Sequence, residues 1–408
     1  MFCRVCKSKN LINFVDLGSS PPSNSLIEKS VLKITDKYYP LNTKVCKDCF
    51  TVQVEDFLEA DEMFSSEYTY FSSFSKTWLN HAERFSRKTI KELKLSNDSL
   101  VIEIASNDGY LLQFYQEKKI PCLGIEPTLS TAKAAEEKGI KVIKEFFNKK
   151  LAINLLKKFK KPDLIIANNV IAHVPNPVDF LEGVKLLMNE NTICSIEFHS
   201  LKELISFMAI DTIYHEHYSY FSLTSFKNLV CQVGLRIVNV EKLSTHGGSL
   251  RVYLKKENTE FKVSNLVEKI LKEEKDFGIS NIDTYSKFSK QIENIKRNTI
   301  DFFDKLYRNN IKVAGYGAAA KASTILNYAK IDSDFLPFIA DANPNKVGKY
   351  IPGCRIPIKS IEEILKFNPD VIIIFPWNLE KEIKEDLEKK MNKKIDFFRL
   401  IPDVTKIQ

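Results

Sequence analysis

Two α/β series behind a short cysteine-bearing module are predicted by three observations. Two CxxC pairs stand within the first fifty residues, a strand-turn-helix alternation begins at Leu100, and a second opening of the same kind begins at Ile311. The chain has 408 residues, 44% hydrophobic and 27% charged, which suffices for two or three domains with sizeable cores and excludes disordered or collagen-like chains. Its most apolar stretch, residues 371–375, suits a buried strand and is too short to cross a bilayer. The start Met-Phe-Cys-Arg-Val-Cys lacks the basic region and apolar run of a secretion signal. A cytoplasmic location with no membrane partner is therefore expected, and the eight cysteines are not read as a disulfide framework. Lys plus Arg is 60 against 52 for Asp plus Glu, a net +8, and the lysines lie mostly in mixed runs such as 157–161 and 380–394 that read as solvated helix faces. The excess leaves a mild preference for anionic ligands, and no nucleic-acid partner is expected.

Taken in order, residues 1–65 form a small module with a turn-rich stretch at 18–25, too small for a large core of its own. A helical pattern runs from Ser72 through Arg87, followed by strand-like residues 100–104, a turn at Ser106-Asn107-Asp108-Gly109, and a helix from Tyr110. Strand 122–125, helix 131–138, strand 141–143, strand 163–167 and helix 178–188 continue the alternation and imply a parallel sheet. Over 200–250 the rhythm breaks into a His- and Tyr-rich stretch; residues 250–254 read as one more strand, and charged amphipathic helices follow over about 262–308. The second series opens at 311–317, with strands near 335–340 and 370–375. Domains at 1–65, 66–255 and 256–408 follow from this pattern.

Cys3-x-x-Cys6 and Cys46-x-x-Cys49 offer four thiolates that can close a tetrahedron around zinc. Four such ligands leave no open position, so the metal is expected to be structural. Cys122, Cys194, Cys231 and Cys354 read as ordinary buried residues. The turn Glu103-Ile104-Ala105-Ser106-Asn107-Asp108-Gly109 lies where the first strand of a sheet enters its helix, and its acids disfavour a phosphate. Glu126, some twenty residues on, can accept both hydroxyls of a ribose. Together these favour S-adenosylmethionine over a dinucleotide. Asn168-Asn169 and His173 follow the strand 163–167 at the edge where open α/β sheets bind ligands. Tyr214-His215-Glu216-His217 gathers two imidazoles, a phenol and a carboxylate able to move protons near neutral pH, with a metal site as the rival reading. Gly315-x-Gly317-x-x-Ala320-Lys321, with Asp341 some twenty residues later, is a bare dinucleotide fingerprint; Lys321 adds a charge for a diphosphate, which any nucleotide-linked substrate would also supply.

These residues resemble those of the three-domain C-methyltransferases that act on keto sugars attached to a nucleoside diphosphate. The matched segments run nearly the whole chain: the paired cysteines, residues 16–25, 68–73, 103–109, 169–175, 211–217, 246–251 and 315–318. The resemblance implies a zinc-binding N-terminal module, a central class I methyltransferase Rossmann-like domain for S-adenosylmethionine, and a second, C-terminal Rossmann-like domain for the nucleotide diphosphate, with the sugar between them. It implies His217 as the base, Glu216 and Tyr214 orienting it or the sugar, and His173 with Tyr70 on the other side of the cleft. Arg251, Gly317, Lys321 and Asp341 are expected on the substrate. The chain departs from the family's pattern in two places: Glu197-Phe198-His199-Ser200 stands where Pro-Tyr follows the strand glutamate, and Ala322 stands where a glycine follows the lysine. The chemistry implied is removal of a proton beside a ketone and attack of the enolate on the sulfonium methyl. An NAD-dependent oxidoreductase and a nucleic-acid-binding zinc protein stay open as alternatives, with an O-methyltransferase the rival within the first class. Oligomeric state is left open, a monomer being favoured.

Overall fold

The structure, a computed structural model, describes residues 1–57, 71–391 and 393–408. In the N-terminal module, β1 (Leu11–Ser20), β2 (Tyr39–Cys46) and β3 (Val52–Val54) form an antiparallel meander. Its apolar face is too small to close on itself. Phe14 instead stacks on Phe288 with ring centroids 5.0 Å apart and meets Tyr285 edge-on at 5.3 Å, both from the helix Ile282–Arg308. The module and the C-terminal half thus share one apolar core.

The central sheet is built from β4 (Val101–Ile104), β5 (Cys122–Ile125), β6 (Val142–Ile143), β7 (Leu164–Asn168) and β8 (Ile193–His199), all parallel. β4 and β7 are buried at every residue, as strands covered on both faces by helices must be. β9 (Ser219–Tyr220), which follows β8 in the chain, pairs with β3 and stitches the first module to the second. β10 (Leu235–Leu243) and β11 (Ser249–Lys256) are joined by a short turn, which forces antiparallel pairing. The order is β10-β11-β8-β7-β4-β5-β6. The expected sheet is therefore parallel except at β11, whose segment 250–254 pairs antiparallel to both neighbours. This is the class I methyltransferase Rossmann-like arrangement.

The charged region after it forms two helices, Asn265–Phe277 and Ile282–Arg308. The last sheet contains β12 (Val313–Tyr316), β13 (Ile339–Ala340), β14 (Ile358–Lys359), β15 (Val371–Ile374), β16 (Asp396–Arg399) and β17 (Thr405–Lys406) in the order β14-β13-β12-β15-β16-β17, parallel but for β17. A second α/β unit is thus present where the second strand-turn-helix opening predicted one. Residues 23–36 strap the first module to this unit: Ile27 bridges Tyr350, Ser23 meets Thr324 at 3.3 Å, and Arg355 donates to the carbonyls of Leu32 and Ile34. Two cysteines differ from expectation. Cys231 is exposed on the helix Leu223–Gln232 and Cys122 is only half-buried, whereas Cys194 and Cys354 are buried. Among the described residues no helix is long and apolar enough to cross a membrane.

Candidate active site

A cavity of about 1160 Å³ opens at the carboxyl ends of β4, β5, β7 and β8 and is closed from the far side by residues 319–321, Pro376, Asn378 and Leu379 of the C-terminal unit. Its size exceeds that of an ordinary single-ligand pocket. The strand ends that reach it hold unusual backbone: Ala105 and Asn107 after β4 and Asn169 after β7 have φ of 57°, 50° and 54°. Left-handed conformations at non-glycine residues carry strain and concentrate at functional sites.

On one side lie Asn107, Glu126, Asn168 and Asn169, four of the residues expected to meet the cofactor. The Glu126 carboxylate accepts the amides of Asn107 and Thr128, both at 2.9 Å, and burial raises its pKa. Asn168 Oδ1 is buried with no hydrogen-bond partner among the described residues, an acceptor set for a donor on a ligand. The side chains thus fit the hydroxyl- and ammonium-bearing parts of S-adenosylmethionine. The other four, Glu103, Ser106, Asp108 and Gly109, do not line the cavity in this structure. Ser106 packs on Gly124 of β5, where an added Cβ would come within 2.4 Å of its Oγ, and a Cβ on Gly109 would meet Ile140 at 2.4 Å. Asp108 accepts the Ser73 amide at 3.2 Å and lies 3.6 Å from Lys138. Glu103 is wholly buried on β4, and burial lifts its pKa well above the ordinary range. These four shape the turn and keep off the cavity wall because the helix and β5 pack directly against them.

The other side carries the imidazoles. His217 Nδ1 lies 2.9 Å from the Thr212 carbonyl, which can only accept, so the proton sits on Nδ1 and the Nε2 lone pair takes the Tyr214 hydroxyl at 2.9 Å. His173 Nδ1 donates in the same way to the Glu216 carbonyl at 2.7 Å, and its ring centroid is 4.7 Å from that of His217. Burial drives His217 well below 6.5, with His173, His199 and His246 pushing in the same direction; burial holds His173 at about 4. The rings are therefore neutral acceptors at neutral pH. Glu216 turns away from the cavity, its Oε1 accepting the Asn24 amide at 3.1 Å. His215 points to the Tyr39 and Pro40 carbonyls of β2 at 3.3 Å, so the two histidines of the HxH run share no metal position. Tyr70 lies outside the described residues.

Of the residues expected on the substrate, Lys321 reaches the cavity beside Asn378, at 3.3 Å, and over the Trp377 ring at 4.2 Å. Arg251 lines it too, but its guanidinium pairs with Glu197 at 2.5 Å and stands over Phe85 at 4.2 Å. Burial alone would raise Glu197; the His81 hydrogen bond with the Arg251 and His81 charges overcomes it and holds the carboxyl at about 2. Gly317 and Asp341 lie outside the cavity. Gly317, at φ 89°, has Pro376 within 2.5 Å of where a Cβ would stand. Asp341 accepts the Ala318 and Asn343 amides at 2.8 Å, which closes the dinucleotide fingerprint on itself.

Sequence reasoning missed a layer of contacts. Trp78 stacks on His81 and Tyr110 and meets His246, and Trp377 donates its indole N–H to Asp211 at 2.8 Å. The chain has only two tryptophans, and both border this site; that rarity was the available signal. The metal ligands are gathered as predicted. The Sγ atoms of Cys3, Cys6, Cys46 and Cys49 all lie within 4.8 Å of one another, with Cys3–Cys49 at 3.4 Å and Cys6–Cys46 at 3.5 Å. A zinc–sulfur bond of about 2.3 Å needs sulfurs only slightly farther apart, so the set fits a closed zinc tetrahedron.

Residues 3–64 match a zinc binding domain family, 78–240 a methyltransferase domain family, and 244–402 the C-methyltransferase C-terminal domain family. The C-methyltransferase NovU of Streptomyces niveus is 29% identical over 390 residues, 95% of this chain and 93% of that protein. Among solved structures, magnesium protoporphyrin IX methyltransferase of Synechocystis (13% identity, TM-score 0.35) covers 44% of this chain and 83% of its own. An S-adenosylmethionine-dependent methyltransferase of Aquifex aeolicus (19%, TM-score 0.32) covers 41% and 87%. With models for zinc-binding, methyltransferase and C-methyltransferase C-terminal domains matching in succession and NovU similar along nearly the whole chain, the comparisons support an S-adenosylmethionine-dependent C-methyltransferase.

Proposed function

We propose that the acceptor is a keto sugar linked to a nucleoside diphosphate, methylated on the carbon beside its ketone. One observation carries the reading: His217, its Nδ1 proton committed to the Thr212 carbonyl, offers a neutral Nε2 beside Tyr214 in a cavity that both α/β units enclose. S-adenosylmethionine supplies the methyl group on its sulfonium, and Asn107, Glu126, Asn168 and Asn169 would hold it. The carbon acid approaches Nε2 from the cavity in place of the Tyr214 hydroxyl, and His217 removes its proton. Tyr214, released from Nε2, then offers its hydroxyl to the oxygen on which charge develops. Glu216, tied to Asn24, anchors the loop that carries His217. Lys321, in the first turn of the helix Ala320–Ala329, supplies positive charge for the diphosphate.

A panel of nucleotide-linked 4-keto sugars incubated with the protein and methyl donor tests this by mass spectrometry, together with exchange in deuterated water. A substrate gains one methyl group and, without methyl donor, exchanges its α-hydrogen. His217→Asn should lower kcat by roughly 10²–10⁴-fold and abolish exchange, with KM changed much less. Methylation without exchange would indicate an O-methyltransferase, and near-full activity in the variant would remove His217 as base.

A further inference from the structure

β8 ends at His199, which lines the cavity while its Nε2 is withdrawn from solvent and has no hydrogen-bond partner among the described residues. Its neighbours His217, His246 and Lys321 have partners, and only Arg251 Nε among the buried cavity-lining nitrogens of the described residues shares its lack of one. His217 holds Thr212 and Tyr214, His246 Nε2 lies 3.3 Å from Asn169, and Lys321 meets Asn378. An uncompensated buried polar atom in a binding cavity marks a place where a ligand atom completes the set.

Its surroundings select the ligand. Burial, then the Lys321 ammonium and then His246 hold the His199 imidazole at about 3. His246 is governed in the same way by burial and Lys321, with Glu197 opposing. Lys321 thus acts electrostatically on both rings. It stands in the first turn of the ten-residue helix Ala320–Ala329, whose N-cap Ala319 supplies no side-chain cap and lines the cavity with Ala320. The carboxylate that answers Lys321 is Asp211, which is buried and bonded to Trp377. A cation, an uncapped helix start and an imidazole short of a partner together call for an anion.

We propose that His199 Nε2 donates a hydrogen bond to the anionic group of the acceptor substrate, beside Lys321, which makes His199 a specificity-determining residue. That the anion is a diphosphate rests on the function proposed above. The carboxylate of the methyl donor has the same chemistry, but His199 ends β8, three strands along the sheet from β5, which Glu126 follows at the cofactor end.

Calorimetry on the intact protein with uridine and thymidine diphosphates, the two nucleosides, inorganic pyrophosphate and S-adenosylhomocysteine tests this, with thermal melts to verify folding. His199→Phe should weaken the nucleoside diphosphate and pyrophosphate about 10-fold or more and leave nucleoside and S-adenosylhomocysteine affinities unchanged. His199→Gln, which keeps an N–H donor, should restore most of the loss. Should the phenylalanine variant not fold, His199→Ala carries the same expectation. Unchanged diphosphate and pyrophosphate affinity overturns the proposal, and a loss confined to S-adenosylhomocysteine reassigns the nitrogen to the cofactor. Pyrophosphate binding that depends on His199 without any nucleoside diphosphate binding keeps the anion subsite and removes the nucleotide reading. Wild-type protein that binds no anion overturns both.

Discussion

His173 shows how one buried imidazole couples chemistry to stability. Burial depresses its pKa from 6.5 to about 4, so between those values the unfolded chain binds a proton that the folded one refuses. Stability from this group is complete above pH 6.5 and declines as pH falls toward 4. The buried carboxyls Asp211 and Glu216, with raised pKa values, act in the opposite sense as pH rises. His173→Asn should therefore flatten the acid-side fall in melting temperature, measured by calorimetry from pH 7 to 4.5. A variant with the wild-type slope would assign that fall to other groups. Burial lowers the pKa of His217, the proposed base, as well, so the acid limb of kcat/KM should lie below pH 6.5, where an exposed histidine base would place it.

At the scale of elements, the turn between β10 and β11 connects the two halves of the cavity. His246, Gly247 and Gly248 all have positive φ, and the Cβ of a residue at 247 would stand 2.2 Å from the Trp377 ring. That ring donates to Asp211 and carries Lys321 on its face, so the glycine lets one α/β unit close against the other. Gly247→Ala should cost about 1–3 kcal/mol of stability through left-handed strain and the displaced indole. KM for the acceptor should rise about 10-fold with S-adenosylhomocysteine affinity retained. Steady-state kinetics and melting check both, and wild-type KM would show that the Trp377 contact does not shape the acceptor site. The element pattern itself was legible: short apolar strands such as β5 and β15 have the period and length of buried parallel strands. The reversal at β11 was not, because periodicity reports burial and carries no direction.

On the scale of the molecule, the N-terminal module depends on both its metal and its neighbour. Four sulfurs close it at one end, and at the other Phe14 enters the core of the helix Ile282–Arg308. Cys46→Ser or strong chelation should release zinc and lower the melting temperature by roughly 5–10 °C. Because residues 23–36 bridge to the C-terminal unit and Asn24 holds Glu216, activity should fall with it. Metal analysis beside an activity assay decides the matter: a soluble, zinc-free variant with full activity would make the module dispensable.

Local chemistry was written in the sequence: cysteine spacing determines a zinc site because four thiolates in two knuckles have one good geometry, and apolar periodicity determines which segments become strands. Glu126 and Lys321 could be named because one follows a strand and the other opens a helix where ligands meet α/β sheets, and His217 because two imidazoles, a phenol and a carboxylate stand together at 214–217. Only the tertiary structure decided which turn residues face the cavity, separating Asn107 from Asp108 one position away. It also turned Arg251 toward Glu197 and brought Asn24, Trp78, Asp211 and Trp377 to one site from distant segments. The physical reason is that side-chain identity is local, whereas partnership and burial depend on packing between segments hundreds of residues apart.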